Sequence, residues 1–436
     1  MDIQTQSPQK KEHDYKIFIK VSIIIFLVVL LLIPTFMVQN LISERQDRRD
    51  TAIKEVTDKW ASSQSIVGPI IAVPYKYNHN TIKYIHFLPK DLAIEGDINP
   101  QELKRGIFKI AAYRSSFLVS GSFDALDFEK FNIPKDRLFL DKAELIMGIS
   151  DLRGIEKNVT LNWNNQPKNF QPGITNNELL SSGISAPIRI SFTDSTSLQT
   201  EKSSFSLQLS CKGSESIYFS PVGGETTVNV NSTWSSPSFT GAFLPSKREV
   251  KESGFHAEWS VLELNRNFPQ SWLGNKFNLR TASFGVDLIS PNGHYQQSFR
   301  SVKYAILFIA LTFLTIFLID LLHHKNTHPL QYALTGLALC IFYILLVSIS
   351  EHSNFFIAYL ISTVMTTGMI FLYAWSIFKS IKLATLLSTL LLAIYGFIFI
   401  IIQLESYALL AGSLGLFLIL ALVMYFTKKI QWNQQR

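Results

Sequence analysis

The sequence predicts a membrane protein: six transmembrane α-helices, one N-terminal and five C-terminal, with a large extracytoplasmic β-rich, sandwich-like domain between the first and second. Three observations carry this reading. Two apolar runs, Tyr332 to Ile349 and Phe355 to Phe378, flank the polar turn Ser350-Glu351-His352-Ser353-Asn354 and contain no Asp, Glu, Lys or Arg. Each is long enough for a hydrocarbon core, which takes about 20 residues at roughly 1.5 Å per residue. Charged residues make up only 17% of the 436, against about 25% in a typical soluble domain. Between Gly68 and Ser301 the pattern changes to short alternating runs broken by Asn, Gly, Ser and Pro, the signature of strands and turns.

Residues 1–16 are polar and read as a cytoplasmic tail. Val21 to Val38 is almost wholly Ile, Leu, Val and Phe, and follows Lys10, Lys11, Lys16 and Lys20. It exceeds the roughly 7–15-residue core of a cleavable signal and lacks small residues at a cut site, so 17–38 is predicted to be a retained signal anchor. From Gln39 to Gln64, Arg45, Arg48 and Arg49 interleave with Glu44, Asp47 and Asp50, as in a solvated stalk helix with i,i+3 and i,i+4 pairs. Within 39–301, the runs at Ile70–Val73, Ile107–Ser122, Phe205–Leu209, Thr226–Val230 and Phe277–Leu288 predict the β body, with one or two short helices. Residues 302–427 form the five-helix block, with spans near 304–322, 331–349, 355–378, 381–402 and 406–426, and 428–436 is a second cytoplasmic tail. Short connections make neighbouring helices antiparallel. Ala408, Ala411, Gly412 and Gly415 supply a small-residue packing face on the last span.

The net charge of +7 is not a nucleic-acid signal, because residues 39–300 carry 29 basic and 27 acidic side chains. The excess lies beside the spans and sets orientation. Lys325, Lys379, Lys382, Lys428, Lys429 and Arg436 fall on the side of the N-terminus, whereas the turns 350–354 and 403–405 have no Lys or Arg. The positive-inside rule then places both termini in the cytoplasm, and the β-rich domain and the Glu351 turn outside. Cys211 and Cys340 fall in different compartments, so no disulfide joins them.

Glu351, His352 and Glu405 come from two turns on one membrane face and form the leading candidate cluster, suited to binding a cation, relaying a proton or seating the outer domain. Polar turns that simply close helices account for the same residues, because span ends carry a smaller cost of charge than the bilayer centre. A secondary candidate is Asp320, with His323 and His324 at i+3 and i+4 and His328 beyond, a pH-sensitive latch or a snorkelling acid paired locally. The chain has no Gly-x-Ser-x-Gly, P-loop, dinucleotide fingerprint, His-Glu-x-x-His or Cys/His cluster, so no catalytic residue, cofactor or metal is expected.

Several stretches together resemble the CreD family of bacterial inner-membrane proteins. They include Trp60-Ala-Ser-Ser-Gln64 with Gly68-Pro69, Gly213-Ser214-Glu215 with Pro221-Val222-Gly223, and Pro237-Ser-Phe-Thr-Gly-Ala-Phe-Leu-Pro245. Gly254-Phe-His-Ala-Glu-Trp259 with Leu264-Asn265-Arg266 follows, then Arg300-Ser-Val-Lys303, His328-Pro-Leu-Gln-Tyr332, Ser350-Glu351-His352 and Gln403-Leu-Glu405. The resemblance implies an envelope protein tied to a two-component stress response, to envelope integrity and to tolerance of colicins or β-lactams. The function expected is non-enzymatic binding, sensing or scaffolding through the periplasmic domain. The partners expected are the lipid bilayer and an envelope protein or peptidoglycan-related component, with no nucleic acid and an oligomeric state left open. The alternative is an ion- or proton-coupled transporter using Glu351, His352 and Glu405.

Overall fold

The computed structural model describes residues 8–78, 81–175, 179–192, 200–288, 294–323, 325–404 and 407–427. It divides into two compact units, one comprising Asp50–Pro291 and the other Met1–Arg49 with Asn292–Arg436.

The second of these is helical. Helices α1 (Pro8–Leu30) and α2 (Leu32–Trp60, whose residues from Asp50 onward belong to the β unit) run on from one another with a break of one residue, Leu31. Pro34 has no N–H to offer the Leu30 carbonyl, and the interruption falls there. The predicted anchor and charged stalk are therefore one apolar-then-polar rod, Phe18–Trp60. Next come α3 (His294–Lys303), α4 (Ala305–Leu322), α5 (Pro329–Ser350), α6 (Phe355–Phe378), α7 (Ile381–Gln403) and α8 (Ala408–Thr427). Among the described residues, five helices are long and apolar enough to cross a membrane: the N-terminal rod and α4 to α7. The apolar stretch of α8, Ala408–Leu422, is shorter, so the expected sixth span is not among them.

Helix α3 went unrecognised in the sequence pattern. It forms because Tyr295, Phe299 and Val302 recur at helical spacing and pack against Phe308, Tyr343 and their neighbours. Gly415 of α8 lies where an added Cβ would meet the Phe397 ring of α7 at 1.9 Å, so this glycine lets the two helices approach closely.

Among the described residues, the β unit holds two sheets, of nine and eight strands, around one shared apolar core. Phe117 of one sheet and Phe219 of the other meet edge to face at 5.2 Å between centroids. The strand Gln64–Asn78 is central to the first sheet. Its start pairs parallel with Ile217–Ser220, and beyond a register shift at Gly68-Pro69 it pairs antiparallel with Glu144–Ile146 and Thr81–Phe87. The second sheet has a parallel pair of its own, Asp91–Ile98 with Glu225–Ser232. Among the described residues, the one or two short helices expected in this body are single-turn 3-10 segments, such as Glu129–Phe131 and Leu279–Ala282.

Candidate functional site

Among the described residues, the helical unit holds two mostly buried carboxylates, and both sit where a helix disfavours them. Unpaired carbonyls give a helix C-terminus a partial negative charge that repels an anion. Asp320 lies in the last turn of α4, and Glu351 caps the C-terminus of α5. Each must therefore be held by donors from elsewhere.

Asp320 is 4% exposed and has three side-chain partners. The Lys20 ammonium of α1 lies 2.7 Å from Oδ2, the Tyr332 hydroxyl of α5 donates to the same oxygen at 3.0 Å, and Thr327 donates to Oδ1 at 2.6 Å. The Lys325 amide donates to the Asp320 carbonyl at 3.0 Å. One carboxylate thereby ties together the first helix, the end of α4 and the start of α5.

The imidazoles proposed beside it serve other groups. The His323 ring lies 3.3 Å from the Ile319 carbonyl, one turn back on its own helix. His328 caps α5: its Nδ1 accepts from the Leu330 amide at 3.2 Å, and Gln331 Oε1 accepts from the His328 amide at 2.9 Å. Its place in His328-Pro-Leu-Gln331 is thus that of a helix start with Pro at the first position. His324 lies outside the described residues.

Glu351 is held more loosely. The Tyr295 hydroxyl of α3 donates to Oε1 at 3.0 Å, and the half-exposed Arg45 guanidinium of α2 lies 3.8 Å from the same oxygen. Burial, and then the bond to Glu351, raise the Tyr295 phenol above its ordinary pKa. The surrounding turn is closed by its own side chains. Ser350 and Ser353 donate to the Val347 and Ile349 carbonyls, and Asn354 Oδ1 accepts from the Ile357 amide at the start of α6. His352 is exposed. Glu405 lies outside the described residues, so of the leading cluster the structure places Glu351 and His352, adjacent but turned to different surroundings.

Sequence reasoning missed Lys20, Tyr332, Thr327, Arg45 and Tyr295 as partners. Lys20 carried a signal as a membrane-flanking charge, but nothing local links it to a carboxylate 300 residues away, and Tyr332, 12 residues from Asp320, lies across a helix break from it. Among the described residues, no group of three or more His, Cys, Asp or Glu could hold a metal ion.

In the β unit the sequence motifs meet one another. The Trp60 indole donates to the Gly213 carbonyl at 3.2 Å, and the Gln64 amide donates to the Asp151 and Lys212 carbonyls. Asp151 accepts from Ser62 and from the Arg153 guanidinium at 2.8 Å, and Arg153 first, then Ser62, holds its carboxyl well below the usual carboxylate range. Arg266 is buried beneath the Pro221-Val222-Gly223 turn and donates to the Val222, Gly223 and Phe268 carbonyls. Burial lowers its pKa to about 10. These contacts clamp strand ends and turns.

A surface cleft of about 550 Å³ opens in the same unit, lined in part by Lys90, Asp91, Asp127, Lys130, Glu225 and Leu264.

A family model described as "Inner membrane protein CreD" matches residues 16–433. The chain is 32% identical over 438 residues to the inner membrane protein CreD of Escherichia coli (strain K12), covering 95% of this chain and 94% of that one.

Proposed function

The chain belongs to the CreD family of inner membrane proteins, and from that premise we propose that it supports cell-envelope integrity and the envelope stress response by non-enzymatic binding or sensing through its β-rich unit. In this reading six helices span the inner membrane, α8 among them. Both termini are cytoplasmic and the β unit is periplasmic, as the lysines of the short loops favour.

The surface cleft carries the proposal. Its volume is typical of ligand sites, which run from roughly 300 to 1,000 Å³, and its mixed charge and the exposed Leu264 suit an envelope protein or a peptidoglycan-related component. The motif residues around Trp60, Asp151 and Arg266 hold strands in place, and no catalytic role is assigned to them. The test is crosslinking in cells from a photoreactive residue at Leu264 or Lys130. Capture of an envelope component that is lost when the probe is moved to the opposite sheet supports the reading. No capture from any position on the cleft overturns it.

The second reading, ion- or proton-coupled transport through Glu351, His352 and Glu405, is favoured by the nearly buried Glu351 carboxylate. A proton or ion flux in liposomes that is lost in Glu351→Gln would replace the first reading with this one.

A further inference from the structure

The buried apolar side chains of the helical unit fall into two clusters. One surrounds Phe313, Leu339 and Leu387, towards the Asp320 end, and the other surrounds Phe308, Phe342 and Tyr395, towards the Glu351 end. Between them along α6 the buried face is polar. Ser362, Thr363, Thr366 and Thr367 recur at i, i+1, i+4 and i+5, which is one stripe of a helix. The antiparallel α7 adds Ser388.

All five are more than nine-tenths buried, and none of their hydroxyls has a hydrogen-bond partner in the protein. Other threonines of the same unit show what such a hydroxyl ordinarily does. Thr35, Thr312 and Thr335 each donate to the carbonyl four residues back, at 2.9, 2.7 and 2.8 Å. The α6 stripe departs from that habit, and hydrocarbon offers a hydroxyl nothing instead.

Two features extend the stripe in both directions. Below it, a cavity of about 10 Å³, room for about one water, is lined by Ile370, Leu387, Thr335 and Thr327, the last of which donates to Asp320. Above it, the hydroxyls of Tyr343 and Tyr395 are buried and equally without a protein partner, inside a ring cluster where Phe342 and Tyr395 stand 4.6 Å apart.

We propose that the α6 stripe and Ser388 bind a chain of internal water, running from the Thr327–Asp320 group to the Tyr343–Tyr395 cluster and stopped there by the packed rings. Water is the occupant because every group is a neutral hydroxyl, able both to donate and to accept. A bare cation would need a counter-charge, and Asp320 already has Lys20. The inference rests on the helical unit alone and stands whichever reading of the β unit holds.

The test is radiolytic hydroxyl-radical footprinting of the full chain in lipid nanodiscs, read by mass spectrometry. Bound water delivers radicals to buried side chains beside it, so the buried Tyr343 and Tyr395 should label several-fold faster than the lipid-facing Phe356. Thr366→Val/Thr367→Val, which keeps shape and removes the hydroxyls, should cut that labelling to the lipid-facing level. Thr366→Ser/Thr367→Ser should retain it. Interior labelling no faster than that of Phe356 in the unaltered protein overturns the proposal without any variant. Labelling unchanged in the folded Val variant overturns it too.

Discussion

Asp320 and Glu351 lie at opposite ends of the helical unit, each at the C-terminal end of its helix, yet they are built differently. Asp320 takes a cation at 2.7 Å and two hydroxyls at 2.6 and 3.0 Å, from two helices and the short turn that joins α4 to α5. Glu351 takes one phenol at 3.0 Å and a half-exposed arginine at 3.8 Å. A buried charge needs its lone pairs filled, and removing one partner leaves an uncompensated charge behind. A charge at the rim keeps water as a substitute. The Asp320 group therefore fastens helices, and the Glu351 group has room to exchange partners.

The comparison can be broken at either end. Asp320→Ala should cost about 3 kcal/mol, the usual loss when one member of a buried ion pair is removed. Denaturant unfolding in detergent micelles would read it. Adding Lys20→Met should recover part of the loss, because the stranded ammonium goes with it. Equal losses from Asp320→Ala and Glu351→Ala would erase the contrast between the two ends.

Acid should destabilise the β unit through a buried histidine. His86 is fully buried and stacked on Trp272 at 5.4 Å, and burial lowers its pKa to about 4. The unfolded chain, with a histidine near pKa ~6.5, then binds the proton first. Stability is intact above that value and falls as pH drops from ~6.5 towards 4, by up to about 3 kcal/mol. His86→Gln should flatten the slope, as followed by tryptophan fluorescence of the unfolding transition. A slope that survives the substitution would assign the titration elsewhere.

Smaller effects sharpen the Glu351 end. Glu351→Gln still accepts from Tyr295, but through a neutral oxygen that weakens the bond, and it also loses the attraction to Arg45, so about 1 kcal/mol is expected in the same micelle assay. Arg45→Ala should cost less than about 0.5 kcal/mol, as for most exposed ion pairs. A larger loss would show that the guanidinium closes on Glu351 in the lipid-embedded protein.

Much of the architecture was written in local patterns. The charge-free runs around Ser350-Glu351-His352 marked α5 and α6, because a helix of about 20 apolar residues needs no distant partner to satisfy its backbone. Alternation from Gly68 onward marked the strands for a similar reason, since one face of each must be buried. Helix α3 escaped because its polar residues outnumber the three that pack, and the His328 cap was grouped with Asp320 because spacing alone does not show that its ring nitrogen accepts from the Leu330 amide at the start of α5.

The sequence by itself determined the membrane-spanning character, the position of the β-rich body and the family. Tertiary structure alone decided which side chains meet. Lys20 reaches Asp320 across 300 positions, Tyr295 and Arg45 converge on Glu351, and Gln64 threads between Asp151 and Lys212. Hydrophobic periodicity is a property of neighbours in the chain, so it can be read locally. A hydrogen bond to a buried carboxylate depends on where separate helices come to rest, and no local pattern records that.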